Sequence, residues 1–155
     1  MKAFLSFIQE KQSYKILEFG AGSSTKIMYD IIERFCQTIE YDTYETDETY
    51  KVIHKNVNTI MYNMDEIDEV ITPDKKYDII IVDGPTGVNR YKWYKKIRNN
   101  VKYDTIILID DYKHYQEFED ALNDNFKYRV LSASDVPFVP YGEHSWRIIT
   151  DIEVK

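Results

Sequence analysis

The chain has 155 residues, 43% hydrophobic and 30% charged, the composition of one globular domain with one core. A net charge of −7 argues against a partner that presents a phosphate backbone, so no nucleic acid is expected. No apolar run reaches the roughly 20 residues of a membrane helix, so no membrane is expected either, and a lone cysteine, Cys36, excludes an internal disulfide and fits a reducing, cytoplasmic setting.

The first dozen residues, MKAFLSFIQEKQ, read as an amphipathic helix without the small-residue cleavage site of a signal peptide. YKILEFG (14–20) is a strand candidate, and a helix is expected from about Ser24 to Phe35. CQTIEYD (36–42) reads as the second strand, followed by a polar helix carrying Val52, Ile53 and Val57. NTIMYN (58–63), YDIIIVDG (77–84) and DTIILIDD (104–111) are the third, fourth and fifth strands, apolar as parallel strands covered on both faces are. Between the last two lies NRYKWYKKIRNNVK (89–102), with six basic residues and no acid. Trp93, Ile97 and Val101 fall at helical spacing to pack on the sheet, leaving Lys92, Lys95, Lys96 and Lys102 as a solvated face. A helix is expected from about Tyr115 to Asn125. YRVLSAS (128–134) and SWRIITDIEV (145–154) then alternate as an antiparallel pair, joined by the loop DVPFVPYGEH.

Strands alternating with helices imply a parallel sheet whose ligands bind beyond the carboxyl ends of the strands. The unusual residues are placed there. Gly20 and Gly22 follow the first strand, where bare backbone lets a ligand approach and a helix start offers free N–H groups. Ser24 and Thr25 add hydroxyls. A dinucleotide fingerprint would put glycine where Thr25 stands, and Glu18 would repel a pyrophosphate. A carboxylate there suits an amino-acid ammonium. Glu40, about 20 residues past the glycines, is placed to take two ribose hydroxyls. An amino-acid end and a ribose without pyrophosphate describe S-adenosylmethionine.

LEFGAGSST, the acid of TIEYD, YDIIIVDGPTG and ILIDD together resemble the class I S-adenosylmethionine-dependent methyltransferases. The resemblance implies an α/β, Rossmann-like three-layer sandwich. Its seven-stranded, mostly parallel sheet would have the order 3-2-1-4-5-7-6, with strand 7 antiparallel. It also implies that Glu18, Gly20, Ala21, Gly22, Ser24 and Thr25 surround the methionine end and that Asp83 stands beside the cofactor. Glu40 and Tyr41 would hold the ribose, and Met64 and Asp65 the adenine.

IIIVD and IILID are nearly one word. On neighbouring strands about 4.8 Å apart, Asp83 and Asp110 would end side by side, with Asp111 beside them. Three such carboxylates suit a hard divalent ion, Mg or Mn. This resembles the catechol-type O-methyltransferases and the glucuronoxylan 4-O-methyltransferase-like proteins, which share the turn seen here as DGPTG. The likeness implies metal-assisted methylation of a hydroxyl on a sugar or glycan. A small phenol or metabolite acceptor, or a cofactor-binding module without catalysis, are the rival readings. Asp83, His114 and His144 are the catalytic candidates, the histidines as bases. Arg90 could grip an anionic acceptor, and Tyr91 and Tyr141 could stack on a sugar ring. So few residues precede the first strand that the acceptor side should be open, or closed by a second subunit in a homo-oligomer.

Overall fold

The structure, a computed structural model, describes residues 8–85, 88–110, 116–138 and 142–155. Seven strands run β1 (Lys11–Phe19), β2 (Cys36–Glu45), β3 (Val57–Met61), β4 (Ile79–Val82), β5 (Ile106–Asp110), β6 (Phe126–Phe138) and β7 (Gly142–Val154). The helices are α1 (Ser23–Ile32), α2 (Lys92–Lys96) and α3 (Gln116–Asn125). The strands form one sheet in the order β3-β2-β1-β4-β5-β7-β6. Strands β1 to β5 are parallel, and β7 runs antiparallel to both neighbours. This is the order that the family resemblance implied. No helix among the described residues is long and apolar enough to cross a membrane.

Side chains alternate across the pleat, so each central strand feeds two cores. Leu17, Phe19, Ile80, Val82, Ile107 and Ile109 point to one face, under α2 and α3. There Trp93 lies stacked on Phe19, ring centroids 3.8 Å apart, with Tyr44 and Tyr62 tilted around it. Ile16, Ile79, Ile81 and Ile148 point to the other face. Helix α1 covers them with Met28, Tyr29 and Ile32, one stripe of its surface. The same alternation puts Glu18, Asp83 and Asp110 in line with the α1-side residues Ile16, Ile81 and Leu108.

Several boundaries differ from expectation. β2 does not stop at Asp42 but runs on through Thr43 and Tyr44 to Glu45, because it must match the nine residues of β1. The polar helix expected after it is a single 3-10 turn at Glu48–Tyr50; Ile53 is 94% exposed, and Val57 already begins β3. Residues 1–7 lie outside the described part, and Lys11 and Gln12, expected to be helical, belong to β1. Most of the segment expected as a loop after residue 134 is strand, since β6 and β7 pair from Phe126↔Val154 to Phe138↔Gly142, with register shifts between Lys127 and Arg129 and between Val130 and Ser132.

Lys95 is exposed as expected, but Lys92, Lys96 and Lys102 are less solvated. Lys92 binds Asp68 at 2.6 Å, and Lys96 donates to the carbonyls of Asp68 and Val70. They hold the β3–β4 connection against α2. Lys102 joins Lys11 on Asp78, at 2.7 and 2.6 Å, below the amino ends of β1 and β4.

Candidate active site

The chain leaves β1 at Gly20, and the turn is built from contacts that only bare backbone permits. Gly20 has φ +97°, and a Cβ there would stand 2.6 Å from the amide nitrogen of Gly84. The amides of Asp83 and Gly84 both donate to the Phe19 carbonyl, and Gly20 N–H donates to Tyr44 O. Two strand ends are thus drawn together at their glycines.

Gly22 is the N-cap of α1, and its amide donates to Thr25 Oγ1 at 3.0 Å. Thr25 Oγ1 in turn donates a hydrogen bond to Glu18 Oε2 at 2.7 Å, and Tyr41 Oη donates to that same oxygen at 3.1 Å. Glu18 is fully buried, and its other oxygen, Oε1, has no hydrogen-bond partner. Burial pushes the Glu18 carboxyl up to about 7; the bonds from Thr25 and Tyr41 oppose this, and the charge of Asp83 adds to it. Thr43 also favours the charged form, although its Oγ1 makes no geometrically sound hydrogen bond.

Two cavities open at this edge. One, of about 380 Å³, is walled by Gly20, Ala21, Glu45, Thr46, Asp47, Tyr50, Asp83, Gly84 and Pro85. The other, of about 150 Å³, is walled by Glu18, Ser24, Met28, Ile81, Asp83, Leu108 and Asp110. Asp83 belongs to both.

The acid at the end of β2 is Glu45 and not Glu40. Glu45 Oε2 accepts from Ala21 N at 2.7 Å, and its Oε1 accepts from the amides of Thr46 and Asp47. It therefore ties the glycine turn to the β2 turn. Asp47 next to it is held below the usual carboxylate range by the amide and hydroxyl of Thr49. Glu40 lies opposite Lys15 in the lower part of β2, more than half exposed and paired with Lys15 and Lys75, five residues from the strand end. Neither Glu45 nor Tyr50 was singled out in the sequence. The signal for Glu45 was present: Thr43 and Tyr44 are strand formers, and only after Glu45 do Thr46 and Asp47 bring turn chemistry.

Other expected residues are placed as follows. Gly20, Ala21 and Asp83 line the larger cavity, Ser24 and Asp110 the smaller, and Gly22 and Thr25 build the turn. Tyr41 is buried beneath Glu18, where a ribose cannot reach it. Met64 and Asp65 sit on a 3-10 turn after β3 and border neither cavity. Tyr91 packs against the core on the α2 side. Arg90, expected to face an anionic acceptor, is buried. Its guanidinium donates to the carbonyls of Pro85 (3.2 Å), Asp110 (2.9 Å) and Asp83, clamping the ends of β4 and β5. His144 falls within β7 opposite Val136, and only its backbone is described. Asp111, His114 and Tyr141 lie outside the described residues.

Among the described residues no group of three His, Cys, Asp or Glu could hold a metal ion. The described residues thus do not form the expected Mg or Mn centre.

The sheet order β3-β2-β1-β4-β5-β7-β6 is the one that the class I methyltransferase resemblance implied. No family model matches the chain, and no curated protein matches it. Solved structures do. A TehB-like SAM-dependent methyltransferase from Corynebacterium glutamicum is 13% identical with a TM-score of 0.64, over 97% of this chain and 86% of that one. The fibrillarin of Aeropyrum pernix, in complex with natively bound S-adenosyl-L-methionine, is 14% identical with a TM-score of 0.61, over 90% and 67%. An rRNA methylase from Streptococcus thermophilus is 9% identical with a TM-score of 0.59, over 97% and 93%. At these identities the likeness shows the fold. It also corrects the exclusion of nucleic acid: an rRNA methylase carries this sheet over nearly its whole length. Net charge averages over the whole surface and does not describe the cleft.

Proposed function

We propose that the chain is an S-adenosylmethionine-dependent methyltransferase, with the donor in the larger cavity and the acceptor in the smaller. The observation that carries this is the pair of cavities meeting at Asp83 beside the Gly20–Gly84 contact. A volume of about 380 Å³ is in the range of ligand pockets, and the missing side chains at both glycines let the ends of β1 and β4 close on each other along its wall.

The donor fits the residues present. Asp47 and Glu45 stand where sugar hydroxyls need acceptors, and Tyr50 offers a ring face on the same wall. Asp83 is an acid for the ammonium of the amino-acid tail. When bound, the donor supplies an activated methyl on a cationic sulfur, and the acids of the edge match its positive charge. The protein's own task is positional: it holds an acceptor atom in line with that methyl and keeps water out. The metal-activated sugar hydroxyl suggested by the sequence depends on Asp111 and on an ion site that the described residues do not form.

Calorimetric titration with S-adenosylhomocysteine tests it. Asp47→Ala and Glu45→Gln each weaken binding at least tenfold, whereas Glu40→Gln leaves it within twofold. EDTA changes nothing. No binding to the wild-type chain, or a loss with Glu40→Gln as large as with Asp47→Ala, refutes the assignment.

A further inference from the structure

The smaller cavity has walls of two kinds. Met28, Ile81 and Leu108 are apolar, and Glu18, Asp83 and Asp110 are acids. The acids arrive there by register. Val82 pairs with Ile109, so Asp83 and Asp110 leave adjacent strands at one level, while Glu18 lies opposite Ile81, one layer below.

Glu18 is the group that asks for a ligand. It is fully buried, its Oε2 takes two protein donors, and its Oε1 takes none. An unmet buried carboxylate oxygen is costly, and more so beside like charges. A hydroxyl would satisfy one oxygen and leave the repulsion untouched. A metal ion needs donors converging on a point, and no such group exists among the described residues. An organic cation meets both needs: its N–H bonds diverge toward separate carboxylates, and its carbon stem covers the apolar wall.

We propose that the smaller cavity is the methyl-acceptor site and that it admits a primary or secondary amine on an apolar stem, so that transfer is to nitrogen. This rests on the methyltransferase reading above and names its substrate class. The amine enters as an ammonium ion and gives one proton to a wall carboxylate. Its freed lone pair forms the new N–C bond, while the C–S bond of the sulfonium donor breaks and leaves its electron pair on sulfur as a thioether. The product departs as an N-methylammonium ion, and the carboxylic acid returns its proton to water.

The test titrates n-butylamine, and n-butanol as its neutral counterpart, into the full chain saturated with S-adenosylhomocysteine, with binding read from amide NMR shifts. The amine binds at least tenfold more tightly than the alcohol. Glu18→Gln and Asp110→Asn each reduce amine affinity at least tenfold, and Asp110→Asn, at a residue that borders the smaller cavity alone, leaves S-adenosylhomocysteine affinity within threefold. Equal binding of alcohol and amine, or amine binding that survives both substitutions, overturns the amine assignment alone. Failure of S-adenosylhomocysteine to bind is seen in the calorimetric titration, before any amine is added, and overturns the donor reading and this inference together.

Discussion

A methyl group added to Gly20 would meet the Gly84 amide at 2.6 Å, in a backbone conformation that already disfavours any side chain. Gly20→Ala should therefore cost about 2–4 kcal/mol, strain and overpacking together, read as a shift in urea midpoint at unchanged m-value. It should also remove S-adenosylhomocysteine binding, since the turn that carries Ala21 must move. At this scale the sequence was legible where chemistry is local. Gly20, Gly22 and Glu18 stand out because no ordinary turn needs that combination after a strand. Glu40 misled because its role was assigned from its distance in sequence, whereas a strand end is set by pairing: β2 had to extend until Tyr44 met Phe19. Tyr50 carries no sequence signal of its own, because its use depends on a turn that folds back over Gly22.

At the scale of elements, the join between β4 and β5 depends on one buried side chain. Arg90 donates to the carbonyls of Pro85, Asp110 and Asp83, where β4 and β5 end. Lysine cannot reproduce that fork. Arg90→Lys should cost about 2–4 kcal/mol, the price of orphaned carbonyls and a displaced charge, measured by chemical denaturation. Because Asp83 borders both cavities, affinity for S-adenosylhomocysteine should fall in the same variant. The five parallel strands were readable because continuous apolar runs have few other uses. Arg90 was not, since an arginine near a candidate site looks the same in sequence whether it serves a ligand or the backbone. The β6–β7 pair was underestimated for a related reason. Prolines and a glycine after residue 134 signalled a loop, yet a long hairpin accepts Pro137 in its outer strand, β6, which has a partner on one side only.

Over the whole molecule, the buried acids make stability depend on pH in two opposing ways. Asp42 is buried and Asp78 partly buried, which favours their neutral forms, but their lysine partners and further hydrogen bonds hold them below the ordinary 3.8. Their contribution is present above that value and is lost as pH falls through the folded one. Glu18 behaves oppositely. Burial first, then the charge of Asp83, raises its carboxyl from 4.5 to about 7 despite the bonds from Thr25 and Tyr41. The folded chain therefore binds the Glu18 proton more tightly than the unfolded chain, and this contribution, complete below 4.5, disappears as pH rises through 7. Denaturation midpoints should fall between pH 5 and pH 8 in the wild type, and Glu18→Gln should remove most of that fall. An unchanged slope in the variant would assign the effect to other groups. The parallel sheet followed from strand–helix alternation, and its strand order from the family resemblance. The content of the clefts did not, because it depends on which residues of different strands share a face.

Neither Gly20 nor Gly84 has a side chain to surrender, so growth at one cannot be accommodated by shrinkage at the other. The crossing between the two halves of the sheet has a single permitted composition. The stretch beside it from Thr46 to Tyr50, partly or fully exposed, carries no such restriction. Descent can alter what this protein holds without altering where it is held.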